Sequence, residues 1–192
     1  FKRVVDGLLL CGSLLVGGTQ GIVLGTLVQG VPNHAGQYSG DGAEWLNVFP
    51  LFCGAVLVVG YTWLGACWLY WRTVGELQRR SSVQAKMLAT VTVVLLIVLV
   101  AWTATLNTRY TQRLSDPLVW MSAMTLLVAL LIGFALGFRS RRHFLPLFCA
   151  LGVFILAFAL MIAALFPMIV PPQLTLQAAA SSPNSQIFML VG

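Results

Sequence analysis

Charge is what this sequence has least of. Of its 192 residues, 11 are Lys or Arg and 5 are Asp or Glu, so 8% are charged, while 59% are hydrophobic. The mean hydropathy is +0.91. Soluble globular domains carry charge on about a quarter of their residues, so the composition excludes that class. It predicts a polytopic membrane protein.

The sequence also lacks the side-chain groupings that carry most enzyme chemistry. It has no Ser-His-Asp set, no glycine-rich phosphate loop and no paired carboxylates. His34 and His143 lie in predicted loops, without a second ligand at a useful spacing. The four cysteines form no CxxC motif and fall inside predicted spans, where they are interpreted as apolar packing residues: Cys11, Cys53, Cys67 and Cys149. We therefore predict no catalytic, metal-binding or cofactor-binding residue in this chain.

Acidic groups at membrane depth, which a proton pathway would need, are absent as well. All five carboxylates lie at predicted span edges or in a loop: Asp6, Asp41, Glu44, Glu76 and Asp116. The deepest hydroxyl belongs to Tyr61, near the centre of the second predicted span. Its interpretation stays open between a hydrogen-bonded packing residue, a quinone contact and the lining of a gas route.

The stretch Phe49–Trp71 shows what the sequence has in place of charge. Its 23 residues contain no Asp, Glu, Lys or Arg, enough at about 1.5 Å per residue to cross roughly 30 Å of hydrocarbon. An aromatic cluster of Trp68, Tyr70 and Trp71 stands at its end, as in an interfacial belt. Arg72 then begins a predicted basic loop that extends to Lys86, and the next predicted loop runs over 109–117.

The same pattern recurs along the chain and predicts an all-α fold, a polytopic transmembrane helix bundle with five complete spans and the start of a sixth. We treat residues 1–192 as one bundle, a fragment of a longer protein. The spans are predicted at about 4–28, 49–71, 87–108, 118–138 and 144–166, with another beginning at 187.

Basic residues predict the orientation of the bundle. Two of the 11, Arg109 and Arg113, lie on one side of the predicted membrane. The others lie on the opposite side: Lys2, Arg3, Arg72, Arg79, Arg80, Lys86, Arg139, Arg141 and Arg142. By the positive-inside rule the N-terminus is predicted to be cytoplasmic.

The first span carries a stripe of small residues at four-residue spacing, formed by Ser13, Gly17, Gly21 and Gly25. Such a stripe on one helix face lets another helix backbone approach closely. We predict that these four residues form a helix-packing site. The nearby amides of Gln20 and Gln29 need hydrogen-bond partners within the protein.

Two blocks of sequence carry distinctive motifs. The first is CGAVLVVGYTWLGACWLYWRTVGELQ, residues 53–78, with its Gly-Tyr, Leu-Gly-Ala-x-Trp-Leu and Arg-Thr-x-Gly elements. The second is FPMIVPPQLTLQAAASSPNSQIFMLVG, residues 166–192, a Pro-rich stretch that leads into an apolar run. In this order the blocks resemble subunit II of cytochrome bd-type quinol oxidases, especially the cyanide-insensitive branch, where a Pro-rich external loop leads into the last helix.

The resemblance implies a haem-free subunit of a respiratory complex in the bacterial inner membrane. In that family haems b and d and the quinol-oxidation site belong to subunit I, while subunit II serves assembly and stability. The expected partners are therefore subunit I and membrane lipid, with a small accessory subunit left open, and quinol is the substrate of the complex. About three helices are expected before Phe1.

Two other functions share parts of this pattern. A multi-pass permease would have a similar composition, but it should show an intramembrane charge or a helix broken at mid-depth; it stays the alternative. Nucleic-acid binding is not expected, because the basic residues are confined to short loops between apolar spans.

Overall fold

The structure, a computed structural model, describes residues 2–30, 32–34, 37–40, 42–140, 142–170, 174–175, 185 and 188–189. The part so described contains six α-helices: α1 (Lys2–Gln29), α2 (Val48–Arg72), α3 (Glu76–Leu106), α4 (Thr108–Leu114), α5 (Pro117–Arg139) and α6 (Leu145–Leu165). All except α4 are long and apolar enough to cross a membrane. The predicted all-α bundle with five complete spans is confirmed, whereas residue 187, where a sixth was predicted to begin, lies outside the described residues.

The basic loop predicted between Arg72 and Lys86 is wrong, because most of it is the first part of α3. The turn from α2 is short and contains Gly75, whose φ of 72° lies in the left-handed region that glycine adopts most readily. From Glu76 onward the polar residues continue the helix, and the Glu76 carboxylate lies 2.9 Å from Nε of Arg80 one turn later. Low hydropathy therefore marks the end of the apolar zone, and the helix extends beyond it.

The loop predicted over 109–117 is also largely wrong, since α4 occupies most of it. The Asn107 side chain caps this helix by accepting a hydrogen bond from the Arg109 amide at 3.0 Å. Asp116 then caps α5 in the same way, accepting from the Leu118 amide at 3.0 Å, and Pro117 stands in the first turn of α5. Because these two side chains each cap the start of a helix, the segment between α3 and α5 is largely helical and is not an open loop.

The remaining connections contain short extended segments. Antiparallel pairs join β1 (Asn33–His34) to β2 (Gln37–Tyr38), and β3 (Met168–Val170) to β4 (Leu174–Thr175). A single 3-10 turn, Glu44–Leu46, leads into α2. These segments lie outside the long helices, and the buried core is formed by the helices of the bundle.

Helix α2 is the centre of the bundle, packing against α1, α3 and α6. It runs antiparallel to α3, because Trp63 shares one core cluster with Ala85 while Phe49 contacts Trp102 at the other end. Trp63 is fully buried, and its ring meets that of Phe134 from α5 with centroids 5.5 Å apart. The core therefore forms around α2, the helix that contains most of the first block of family resemblance.

The helix ends fall into two groups. We call "basic end" the end of the bundle where α1 begins, α2 passes to α3 and α5 passes to α6; α4 lies at the opposite end. At the basic end the Arg72 guanidinium carbon stands 5.5 Å from the Trp68 ring centroid and 5.6 Å from that of Trp71. Such a cation–aromatic arrangement suits a membrane interface.

Candidate functional site

The predicted packing residues Gly17, Gly21 and Gly25 are buried on one face of α1, directed at α2. A methyl group placed on Gly21 would lie 2.7 Å from both the carbonyl oxygen of Cys53 and the Cα of Gly54. Real Cβ atoms do not come this close to backbone, so no side chain larger than hydrogen fits there without moving a helix.

The same approach is seen from the other helix. A methyl group on Gly54 of α2 would lie 2.8 Å from the carbonyl oxygen of Gly18 and 2.9 Å from Cγ1 of Ile22. Farther along the contact, a methyl group on Gly25 would lie 2.7 Å from the Cα of Pro50. Gly21 and Gly25 of α1 and Gly54 of α2 thus meet backbone, while Gly17 of α1 meets the side chains of Tyr61 and Val58. We call this contact, Gly17, Gly21 and Gly25 on α1 with Gly54 on α2, the glycine seam.

Ser13 is not part of the seam. It is exposed, and its hydroxyl donates to the carbonyl oxygen of Leu10 in its own helix at 2.9 Å. Gly54 and Gly18, which sequence reasoning missed, take part in the contact instead. A search for small residues on α2 that could oppose the α1 stripe would have found Gly54, because it is the glycine nearest the start of the second span.

A hydrogen bond between side chains joins α1 to α2 beside the glycine seam, toward the basic end. The Tyr61 hydroxyl of α2 donates to Oε1 of Gln20 at 2.8 Å, and the Tyr61 ring stacks on Phe154 of α6 with centroids 6.0 Å apart. Gln20 thus has the partner that the sequence required, while Gln29 is exposed. The geometry gives Tyr61 a packing role that links three helices.

A second hydrogen bond, between side chains far apart in sequence, joins α2 to the turn before α6. Nδ1 of His143 lies 3.0 Å from the hydroxyl oxygen of Tyr70, which is 6% exposed. The Tyr70 ring also packs on Phe138 of α5, with centroids 4.7 Å apart. Sequence reasoning assigned no role to this histidine; an aromatic cluster on a neighbouring span at the same depth was the available signal.

At the opposite end Tyr110 ties α4 to α1. Its hydroxyl donates to the carbonyl oxygen of Val28 at 2.9 Å, and the residue is 4% exposed, in one buried cluster with Phe49 and Leu165. Burial raises the pKa of Tyr110 above its ordinary value. The phenol therefore stays protonated and able to donate throughout the physiological pH range.

Two buried polar atoms, Nε1 of Trp63 and Oγ1 of Thr92, have no hydrogen-bond partner among the described residues. Thr92 also lines an apolar cavity of about 130 Å³ between α1, α2, α3 and α6. Other helix threonines donate to a preceding carbonyl, as Thr26 does to Ile22 at 2.9 Å. A buried hydroxyl without a hydrogen-bond partner lowers the stability of the folded state.

Metal-ligating side chains do not form a cluster of three in the described part of the chain. No three His, Cys, Asp or Glu side chains there lie close enough to hold a metal ion. The four cysteines are free thiols. At the glycine seam, by contrast, the backbones of α1 and α2 come into close contact.

The chain is similar to known respiratory proteins. A family model described as cytochrome bd terminal oxidase subunit II matches residues 1–192. Over 99 residues the chain is 34% identical to cytochrome bd-I ubiquinol oxidase subunit 2 of Escherichia coli strain K12, covering 49% of this chain and 26% of that protein. Over 107 residues it is 29% identical to a probable cytochrome oxidase subunit 2 of Haemophilus influenzae, covering 53% and 28%.

These alignments span about a quarter of each relative's length. The family model, in contrast, spans every residue of this chain, and its description agrees with the resemblance found in the sequence. The chain belongs to the family of subunit II of cytochrome bd terminal oxidases.

Proposed function

We propose that this chain is part of the haem-free subunit II of a membrane-bound quinol oxidase. In the complex, quinol would be oxidised to quinone, and its electrons, together with protons, would reduce dioxygen to water. The observation that carries the proposal is the family match over the entire chain. The name of the Escherichia coli relative, a ubiquinol oxidase subunit, supports quinol as the electron donor.

The contribution of this chain would be to assemble and stabilise the complex. Haems b and d and the quinol-oxidation site would then lie on a partner, subunit I. The glycine seam supports this role, because close backbone contact of this kind is how membrane helices associate, and it holds α1 against α2. The Tyr61–Gln20 and Tyr110–Val28 hydrogen bonds add fixed points along α1.

The proposed location is the bacterial inner membrane with the basic end in the cytoplasm. The basic end gathers Arg72, Arg79, Arg80, Lys86 and Arg139, whereas Arg109 and Arg113 belong to α4 at the opposite end. Positive loop residues are retained on the cytoplasmic side during insertion. The multi-pass permease considered from the sequence is disfavoured by the family match.

A deletion experiment tests the proposal. Membranes from a strain lacking the full-length parent gene, and having no second bd-type oxidase, are compared with complemented membranes by reduced-minus-oxidised visible spectroscopy. We expect the far-red band of the chlorin haem to vanish on deletion and to return on complementation, although the haems are proposed to lie on the partner. An unchanged spectrum would contradict the proposed role and return the permease to consideration.

A further inference from the structure

An open groove runs between α3 and α5. The two helices make almost no direct backbone contact, and the space between them measures about 600 Å³. Its walls are largely apolar, with Val93 of α3 and Leu131 of α5 among them, and it is widened by the small side chains of Ala89 and Ala135. A groove of this kind between membrane-spanning helices is filled by something apolar.

Two basic side chains lie at one end of the groove. Lys86 of α3 and Arg139 of α5 both line it, one from each wall, at the basic end. Nζ of Lys86 stands 4.8 Å from the ring centroid of Phe138, which also lines the groove. Contact with an aromatic face holds the ammonium at the mouth of the groove and leaves its donors free.

Neither cation is neutralised within the described part of the chain. The ion pair found there joins Glu76 to Arg80, outside the groove. Lys86 and Arg139 are both exposed. An apolar channel closed at one end by two unpaired cations is complementary to a molecule with an anionic head and a long apolar tail.

From this complementarity we infer that the groove binds an anionic glycerophospholipid, with its phosphate between Lys86 and Arg139 and an acyl chain between α3 and α5. Basic pockets between helices near a membrane surface recognise anionic headgroups in this way, and the guanidinium of Arg139 can bind phosphate oxygens in pairs. A protein helix without an acidic residue at that depth would instead bury two cations without a counter-charge, which is costly. The inference does not depend on the proposed oxidase function.

Native mass spectrometry of the full-length subunit, purified in detergent with the partners that accompany it, tests the site. The delipidated protein is titrated with phosphatidylglycerol, and separately with phosphatidylethanolamine, whose headgroup has no net charge. Replacing Lys86→Gln together with Arg139→Gln should weaken phosphatidylglycerol binding by roughly tenfold to thirtyfold, since each cation near an anionic headgroup contributes about fivefold. Phosphatidylethanolamine binding should change little.

The matched control removes the same charge from the same end outside the groove, with Arg79→Gln and Arg80→Gln. This variant should bind phosphatidylglycerol as the wild type does. An equal loss in the control would mean that general surface charge attracts the lipid, and unchanged binding in the groove variant would mean that these cations do not recognise it. Either result overturns the inference.

Two further variants keep the test decisive if the neutral pair does not assemble. Exchanging the cations, Lys86→Arg with Arg139→Lys, preserves both charges and should retain binding within about threefold. Ala135→Phe keeps both cations but obstructs the acyl path, so binding of both lipids should fall at least about threefold. Full binding by the Ala135→Phe variant would place the lipid outside the groove and overturn the inference.

Discussion

The glycine seam and the α3–α5 groove lie in the same bundle and solve the problem of helix contact in opposite ways. At the seam, glycines on both helices let the backbones touch, so that a methyl group on Gly21 has no room. At the groove the backbones of α3 and α5 stay apart, and Phe134 and Phe138 line the space between them with two cations at its mouth. Helix pairs in a membrane gain no hydrophobic burial from water, and packing at close range decides which of them close.

The largest expected effect comes from forcing the seam open. Gly21→Leu places a branched side chain against the backbone of Cys53 and Gly54, which cannot yield without separating α1 from α2. We expect a loss of more than about 3 kcal/mol in stability and a strongly reduced yield of folded full-length protein. Size-exclusion chromatography and thermal unfolding of the detergent-purified subunit measure both.

The matched control for that variant is Gly7→Leu on the same helix. Gly7 has nothing within 4 Å of its Cβ position. Its substitution should leave yield and melting temperature close to the wild type. If the two leucine variants behaved alike, the seam would not be the contact that holds α1 in place.

A smaller effect is expected at the end of α1, where Tyr110 meets Val28. Tyr110→Phe removes the side-chain hydrogen bond that the Val28 carbonyl accepts, at a cost of about 1 to 3 kcal/mol because the site is buried. Thermal unfolding of the purified subunit measures the loss. The matched control is Thr111→Ser, an exposed neighbour on the same helix that keeps its hydroxyl. An equal loss of stability in both variants would mean that α4 tolerates neither substitution, and the loss could not then be assigned to the hydrogen bond.

The same tyrosine gives the prediction a pH dependence. Burial raises the pKa of Tyr110 above its unfolded value, so the folded state holds this proton more tightly. Its contribution is therefore fully present below the unfolded pKa and is lost as the pH rises through the raised folded pKa. The wild type should lose stability in that alkaline window relative to Tyr110→Phe; parallel stability profiles would contradict the assignment.

The smallest effect concerns the hydrogen bond beside the seam. Tyr61→Phe keeps the ring stacked on Phe154 and deletes only the bond to Gln20, so we expect a loss of about 0.6 kcal/mol in thermal unfolding, typical of a side-chain hydrogen bond within a membrane. Because this hydrogen bond is already missing from the Tyr61→Phe variant, adding Gln20→Ala to it should cause little further loss of stability. A loss above that of Tyr110→Phe would show that Tyr61 does more than pack helices.

The sequence predicts the spans well because each is a long run without charge, and such a run is favourable only within a membrane or a core. It predicts the packing face of α1 for a similar reason, since Gly17, Gly21 and Gly25 repeat at helical spacing. The stripe alone neither identifies its partner nor excludes Ser13, because which helix meets a stripe, and over what length, depends on tertiary contacts. Gly54 could have been found only by searching the second span for a glycine to oppose the stripe.

The errors have a common physical cause. Hydropathy marks where the apolar zone ends. Helices, in contrast, begin and end where capping and backbone geometry set their limits, as at Gly75 before α3 and at Asn107 before α4. The bond between Tyr70 and His143 was missed for a different reason, since its two ends are 73 residues apart. No local pattern encodes a contact over that distance.

The early start of α3 makes this helix longer than the hydrocarbon layer of a membrane is thick. Its 31 residues make a rod of about 46 Å, whereas the hydrocarbon layer is about 30 Å thick. In a thicker membrane more of the polar stretch after Glu76 can draw toward the headgroups, and in a thinner one more can emerge, without unwinding any helical turn. The turns after Glu76 therefore let α3 meet the headgroups at different depths while it remains one continuous helix.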